Sequence, residues 1–187
     1  LVLTYPHRRA GTFPLFPSVR ALLPTFAHPR LKINFVAAAT QEKFAGIAVA
    51  DGNYLAGLSQ WYNTRHLQPG AYVTLRRHAK ALTIEMDFQP QRERSLWMRV
   101  AKTVNGQLTF AQERRPLAFK CDEEMLIGVG DPVGIDAAAE RLRRAYPHLD
   151  ALLEYVFPEL AKLSGAGRVH AKTLYSAVNF VCRAGLR

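Results

Sequence analysis

The residues with the greatest potential for chemistry are three consecutive acids, Asp122, Glu123 and Glu124. Clustered carboxylates bind divalent cations, and the reaction such a site would serve here is metal-dependent cleavage of nucleic acid. A restriction-type nuclease also needs a second acid separated from a lysine by one residue, whereas Glu42 directly precedes Lys43. We therefore expect the triplet to be a solvated strand end. A nuclease or restriction-associated enzyme with an acidic metal site remains one alternative function, and a protein-interaction or dimerisation module is the other.

Other kinds of catalytic site find less support. The six histidines never occur in the H-x-x-x-H or H-E-x-x-H spacing of a zinc site. Gly128-Val129-Gly130 lacks the lysine and the hydroxyl residue of a nucleotide-binding loop. Cys121 and Cys182 are far apart and outside any C-x-x-C pair, so we expect free thiols in a reducing cytoplasm. We predict no catalytic residue, no metal and no cofactor, and hence a protein that is not an enzyme.

The charge of the chain is the first positive indication of a partner. The 187 residues contain 25 Lys and Arg against 15 Asp and Glu, a formal net charge of +10. Residues 1–88 have ten of these cations and only four of the acids. A surface of this kind attracts polyanions, which are DNA, RNA or acidic lipid.

One basic segment lies near the N-terminus. Residues 5–12 are polar and basic and lie between apolar segments, so we expect an exposed loop that cannot bury itself. Arginine makes bidentate contacts to guanine or phosphate, and small residues let the backbone approach DNA closely. The candidate DNA contacts in this segment are His7, Arg8, Arg9 and Thr12.

A second basic segment covers residues 76–80, which we predict to be a polar turn. Its Arg76, Arg77 and Lys80 are candidate contacts to DNA phosphates. A solvated hairpin tip explains the same residues equally well.

The first half of the chain has the pattern of a β-rich domain. Apolar and polar residues alternate over 31–36, which predicts a half-buried strand. Two apolar runs flank Asp51-Gly52-Asn53 and predict a hairpin. The remaining predicted elements are a helix capped by Ser59 and ending near Arg65, a type II turn at Pro69-Gly70, and strands over 71–75 and 82–88.

The polar stretch 89–94 contains a proline and separates two apolar-patterned regions. We interpret it as a linker between two domains, residues 1–90 and residues 91–187. The second domain is predicted to contain a hairpin of strands 96–104 and 108–119 about Asn105-Gly106, a strand over 125–129, and helices over 131–145, 149–163 with a kink or break at Pro158, and 173–183.

Three stretches of the first half match one known family in their order. Leu3-Thr4 and the later Thr12-Phe13-Pro14-Leu15 are similar to its first strand, arm and second element. Residues 54–62 are similar to its strand leading into a helix with a buried aromatic, and Leu67-Gln68-Pro69-Gly70 to its leucine-x-x-glycine turn. In this order they resemble the DNA-binding pseudobarrel family, which includes plant B-three domains and effector domains of bacterial restriction enzymes.

The resemblance implies an α+β protein whose N-terminal domain is a seven-stranded open β-barrel. It further implies binding to duplex DNA, in transcription regulation or as the targeting module of a restriction-modification system. Two arms of one barrel face would enter the major groove, the first at residues 5–12 and the second at residues 48–53. In the second arm the implied contacts are Asp51 and Asn53.

The C-terminal segment 160–178 resembles a helix-turn-helix of the winged-helix kind. That interpretation would direct Lys172, Tyr175, Ser176 and Asn179 toward DNA, whereas a small helical packing domain accounts for the same pattern. The apolar face of 149–163 also suits a homodimer formed through the C-terminal helices.

The aromatic residues Trp61, Tyr62 and Trp97 have apolar neighbours in the sequence. We therefore expect them to pack in the core or at its rim rather than to stack on bases of single-stranded nucleic acid.

No apolar run approaches the roughly 18 residues that span a bilayer. The charges of residues 1–9 follow a short apolar stretch, which is the reverse of a signal peptide. We therefore predict a cytoplasmic protein without a membrane partner. The sequence begins at Leu1 instead of Met, so we expect a piece of a longer protein.

Overall fold

A computed structural model of the chain describes residues 1–25 and 28–182. The strands are β1 (Thr12–Pro14), β2 (Arg30–Ala37), β3 (Lys43–Val49), β4 (Tyr54–Ala56), β5 (Val73–Arg77), β6 (Thr83–Phe88), β7 (Pro90–Val104), β8 (Gln107–Phe119) and β9 (Ile127–Val129). The helices are α1 (Tyr5–Ala10), α2 (Pro17–Arg20), α3 (Ser59–Thr64), α4 (Pro132–Ala145), α5 (Leu149–Ala161) and α6 (Ala171–Val178).

The first six strands form one mixed sheet in the order β1-β4-β3-β2-β6-β5. β2 and β6 are parallel, and the other neighbouring strands are antiparallel. The first residues of the chain continue the sheet beyond β5, because Val2 pairs with Tyr72 and the Leu3 N–H donates to the Ala71 carbonyl at 2.8 Å. The sheet curls into a half-barrel around a large apolar core. The predicted α+β class is therefore confirmed.

Alternation of side chains along β2 explains why this sheet has one buried and one exposed side. Ile33 and Phe35 are 2% and 0% exposed and face the core, whereas Lys32 and Asn34 are exposed on the other side. Successive strand residues point to opposite faces, so this pattern orients the whole sheet. The strand predicted over 31–36 and the hairpin about Asp51-Gly52-Asn53 are both confirmed.

The predicted linker at residues 89–94 is wrong. β7 begins at Pro90 and continues without interruption to Val104, with one irregularity in its pairing to β8 between Pro90 and Arg94. At this end β7 carries the exposed polar side chains of Arg92, Glu93 and Arg94, whereas Leu117 and Phe119 of the paired strand β8 are buried. The polarity of this stretch marks the exposed side chains of a strand, and the division into domains 1–90 and 91–187 stays a prediction.

The core of the half-barrel also uses side chains from far along the chain. Its members from beyond residue 90 are Met98, Val100, Leu117, Phe119 and Leu126. The second sheet therefore covers the open side of the first one.

The second sheet has the order β8-β7-β9 and supports the C-terminal helices. β7 and β8 join at Asn105-Gly106, whose φ angles of 51° and 77° suit a two-residue hairpin turn, as predicted. α4, α5 and α6 pack on this sheet around a second core, whose members include Ala101, Phe110, Ile135, Val156 and Val178.

The N-terminal segment predicted as a loop is helical. α1 begins at Tyr5, carries Pro6 in its first turn, and ends at Gly11, whose φ of 62° is left-handed. Tyr5 is 4% exposed and stacks on Phe180 with ring centroids 4.0 Å apart. The partner that buries this segment is distant in sequence, so local polarity could not reveal it.

The chain around the third helix and the fifth strand differs slightly from prediction. Ser59 is the first residue of α3, which has no side-chain cap. The Pro69-Gly70 turn is confirmed by a Gly70 φ of 102°. β5 lies later than predicted, so Arg76 and Arg77 belong to the strand and the turn covers residues 78–82.

The C-terminal helices follow the predicted order. α5 continues through Pro158 without a break and buries Leu152, Val156 and Leu160 in the second core. Much of the face predicted to dimerise is therefore covered by the chain itself, and dimerisation stays a prediction. The last predicted helix reached Arg183, which lies outside the described residues.

Cys121 and Cys182 are free thiols, and burial raises the pKa of the Cys121 thiol to about 11. Among the helices of residues 1–25 and 28–182, none is both long enough and apolar enough to cross a bilayer.

Candidate nucleic-acid interface

The exposed side of the half-barrel presents a surface that we name the basic face. It consists of the outward side chains of β2, β3 and β4, namely Arg30, Lys32, Asn34, Lys43, Ala45, Ile47 and Ala56. Strand register places them in rows across the sheet: Ile47 pairs with Lys32 on one side and with Ala56 on the other. Ala56 in turn pairs with Thr12 of β1.

Small residues make the middle of the basic face concave. A groove of about 490 Å³ lies between Lys32 and Asn34 on one side and Ala56 and Gly57 on the other, with Ala45 and Gly46 beneath it. Gly46 cannot be replaced freely, because an added Cβ would lie 2.1 Å from the Phe35 ring and 2.9 Å from the Ala56 carbonyl oxygen. Gly46 thus lets β3 pass close to the Phe35 ring on the core side of the sheet.

All charged side chains on the strands of the basic face are cationic. β2, β3 and β4 contain Arg30, Lys32 and Lys43 and no Asp or Glu. Within the described part of the chain, no carboxylate lies within ion-pair distance of these three cations. Their charge is therefore available to a polyanion.

The turn at residues 50–53 borders one end of the basic face. The Asn53 carbonyl accepts a hydrogen bond from the Leu15 N–H at 2.7 Å, and the Ala50 N–H donates to the Pro29 carbonyl at 2.9 Å. Asp51 and Asn53 are exposed on this turn. The structure therefore places both residues of the predicted second arm at the Arg30 end of the basic face, outside the lining of the groove.

The predicted phosphate contacts Arg76 and Arg77 lie near the end of β5, where pairing through β6 places them level with Val36 and Phe35 of β2. Arg76 is 3.6 Å from Glu85 and 3.9 Å from Asp87, so part of its charge is neutralised. Arg77 donates to the Ala21 carbonyl, and Lys80 is exposed in the following turn.

The first predicted arm, α1, borders the opposite end of the basic face. The Leu58 N–H, just after β4, donates to the Gly11 carbonyl at 2.9 Å. Two segments predicted to contact DNA thus flank β4 at its two ends.

The side chains of α1 have internal partners. The Arg8 Nε donates to the Leu67 carbonyl at 2.6 Å, and burial lowers the pKa of this guanidinium. Arg9 forms a two-nitrogen contact with Asp136 of α4 at 2.9 and 2.6 Å, and that hydrogen bonding raises its pKa. His7 Nδ1 lies 2.8 Å from the Thr12 Oγ1, and Thr12 is 7% exposed. Contact of these four residues with DNA stays a prediction.

Four polar residues of the basic face were missed as candidate contacts, namely Arg30, Lys32 and Asn34 of β2 and Lys43 of β3. Arg30, Lys32 and Asn34 lie on the strand whose alternation was recognised correctly. The polar residues of that alternation could have identified them, because the side chains that alternate with the buried ones point to the exposed face of the sheet. The basic runs at residues 8–9 and 76–80 are conspicuous in the sequence. Arg30 and Lys32 are less so, because another residue separates them.

The acidic triplet is engaged by cations and a hydroxyl. Asp122 accepts from the Lys172 Nζ at 2.8 Å, Glu123 from the Arg94 guanidinium at 2.9 Å, and Glu124 from the Thr173 hydroxyl at 3.0 Å. Burial acts to raise the pKa of Asp122, but the hydrogen bond and charge of Lys172, together with the backbone N–H groups of Met125 and Glu124, outweigh it, so the pKa is lowered. No cluster of metal ligands occurs in the described ranges.

The helix predicted to recognise DNA packs against the same segment. Ser176 of α6 and Asn179, which follows its last residue, are 2% and 4% exposed, and the Ser176 Oγ donates to the Met125 carbonyl at 2.8 Å. Thr173 donates to the Glu124 carbonyl at 2.7 Å. The prediction that Ser176 and Asn179 face DNA is therefore wrong, because this side of α6 is an internal packing surface.

Comparison of the chain with protein families, characterised proteins and solved structures found no match.

Proposed function

We propose that this chain binds duplex DNA through the basic face, as a regulator or as the targeting module of a restriction-type system. The observation that carries the proposal is a concave sheet surface with Arg30, Lys32 and Lys43 and no carboxylate on its strands. Neutralisation of phosphates and release of their counterions supplies most of the affinity of such a surface.

The arms provide the geometry of a clamp. Asn53 and Leu58 are five residues apart along the chain, which separates the two flanking segments by at most about 16 Å at 3.3 Å per residue. A major groove is about 12 Å wide, so the segments reach both of its walls. The groove between them brings Asn34 toward base edges, where an asparagine side chain pairs with adenine.

The barrel in this proposal has seven strands, with Val2 and Leu3 beside β5 as the seventh. The second sheet and α4 to α6 support the barrel in place of a winged-helix reader. The buried Ser176 and Asn179 suit that supporting role.

The test is the binding of a labelled random duplex across a salt series, measured by fluorescence anisotropy. Replacing Arg30→Gln together with Lys32→Gln removes two phosphate contacts. We expect affinity at low salt to fall about tenfold and the slope of log K against log salt to become shallower by about 1.8.

The matched control is Arg144→Gln with Arg168→Gln, which removes the same charge from exposed positions away from the basic face. We expect this control to change the salt slope little. Binding by the wild type that does not depend on salt, or an equal loss in the control, would contradict the proposal.

A further inference from the structure

An exposed tryptophan lies on the β7–β8 hairpin, far from the basic face. Trp97 is 66% exposed, whereas Trp61 and Tyr62 are 3% and 0% exposed in the barrel core. The prediction of core or rim packing is therefore confirmed for Trp61 and Tyr62 and wrong for Trp97. The exposed indole leaves a large apolar area in contact with water. Binding of a partner would bury this area, which is favourable.

The neighbours of Trp97 on its face of the hairpin are polar and basic. Register pairs Trp97 with Arg114, and the next pair on the same face is Arg99 with Gln112. The Arg114 Nε donates to the Ser95 Oγ at 3.0 Å, which holds the guanidinium beside the indole. Among residues 1–25 and 28–182, no carboxylate forms an ion pair with Arg114.

A hollow of about 390 Å³ adjoins the indole. Its walls are formed by Arg94, Leu96, Trp97, Met98, Arg99, Gln112, Glu123, Glu124 and Leu126. Arg94 is held by Glu123 at 2.9 Å, and Arg99 lies 3.7 Å from Glu124. The hollow therefore combines one aromatic face with fixed hydrogen-bond donors and acceptors.

We infer that this hollow binds an unpaired nucleobase of single-stranded DNA. The base stacks on the Trp97 indole, and its polar edge meets Arg99, Gln112 and the carboxylates of Glu123 and Glu124. The unneutralised Arg114 contacts the adjoining phosphate. Stacking on an aromatic side chain beside arginine is how proteins hold single strands without reading their sequence.

The chemistry of the surroundings favours this ligand over a protein partner. Tryptophan anchors in protein interfaces lie in an apolar, desolvated centre, whereas Trp97 is bordered by Arg94, Arg99, Gln112 and Arg114. This site is separate from the basic face, and it does not depend on the proposed binding of duplex DNA.

The test uses the fluorescence of the whole chain titrated with a short oligodeoxythymidylate. Trp97 is the exposed one of the two tryptophans, so acrylamide quenching and the red side of the emission report on it. We expect the oligonucleotide to quench this emission and to protect it from acrylamide. A titration that leaves both unchanged at low salt would overturn the inference.

Variants locate the site. Binding of the labelled oligonucleotide should weaken about tenfold in Trp97→Ala and about threefold or less in Trp97→Phe, which keeps a ring for stacking. Arg114→Gln should make the salt slope shallower by about 0.7, one phosphate of a single strand. Thermal unfolding of each variant checks that the exposed substitutions leave the fold intact.

The control is the Arg30→Gln and Lys32→Gln double variant, which should bind the single strand as tightly as wild type while losing duplex affinity. Unchanged single-strand affinity in Trp97→Ala overturns the inference and leaves the duplex proposal standing. Emission that instead changes with protein concentration alone would show that Trp97 serves self-association, which also overturns it.

Discussion

Arg8 and Arg9 are neighbours in sequence but have different surroundings in the structure. Arg8 is half-buried and donates to the Leu67 carbonyl, whereas Arg9 is exposed and pairs with Asp136, whose side chain is 45% exposed. A buried carbonyl that loses its donor is costly to the folded state, whereas an exposed ion pair contributes little. Similar residues in one basic run therefore differ in what they stabilise.

We predict that Arg8→Met lowers the free energy of unfolding by about 1–2 kcal/mol, because the Leu67 carbonyl is left unpaired while the aliphatic stem is preserved. The matched variant Arg9→Met should lower it by less than about 1 kcal/mol. Urea unfolding measures both. A larger loss in Arg9→Met than in Arg8→Met would show that the anchoring of α1 rests on Asp136.

At the scale of elements, the start of α4 is determined by residues close to it in the sequence. Asp131 precedes the helix, and its carboxylate accepts from the Gly134 N–H at 3.0 Å and from the Thr103 hydroxyl at 2.8 Å. These hydrogen bonds, the Gly134 one foremost, lower the pKa of Asp131. An aspartate followed by a proline predicts the first residues of a helix, and the structure confirms this start for α4.

The lowered pKa of Asp131 determines a pH dependence. Since its folded pKa lies below the unfolded value near 3.9, its stabilisation is present above that pH and is lost as pH falls through the folded pKa. We predict that Asp131→Ala lowers the melting temperature at pH 7, and that the difference shrinks below pH of about 4. Thermal unfolding at several pH values measures this.

Two variants test the cause. Asp131→Asn keeps a neutral cap, so its deficit should be smaller than that of the alanine variant at pH 7. Thr103→Val removes one hydrogen bond and leaves the cap in place. A deficit of Asp131→Ala that is the same at pH 7 and pH 3 would exclude the ionised cap as its source.

At the scale of the whole molecule, the two hydrophobic cores share one hairpin. β7 and β8 contribute Met98, Val100, Leu117 and Phe119 to the half-barrel core, and Ala101, Leu108 and Phe110 to the second core. The boundary predicted at residue 90 therefore separates strands from the side chains that cover them.

We predict that the fragment 1–90 does not unfold cooperatively, because its core lacks the side chains of the second sheet. The whole chain should show a cooperative transition by circular dichroism. In the whole chain, Leu117→Ala should lower the free energy of unfolding by about 2–5 kcal/mol, as expected for a buried leucine. A fragment 1–90 that melts cooperatively near the temperature of the whole chain would support two independent domains.

The sequence by itself determined the features that depend on neighbouring residues. The hairpin turns at 51–53 and 105–106, the alternation over 31–36 and the start of α4 follow from turn chemistry, strand period and capping, and each was predictable. The excess of cations was also evident. The ligand of these cations was not evident, because no local pattern shows which of them form ion pairs within the protein.

Tertiary structure decided the features that depend on contacts between distant residues. Phe180 buries Tyr5 of α1, β8 pairs with Pro90 and Arg94 of the supposed linker, and the segment after Asp122 covers Ser176. The same holds for the exposure of Trp97. The burial of a side chain depends on the residues that pack against it. A local sequence pattern gives only residue types and their spacing along the chain.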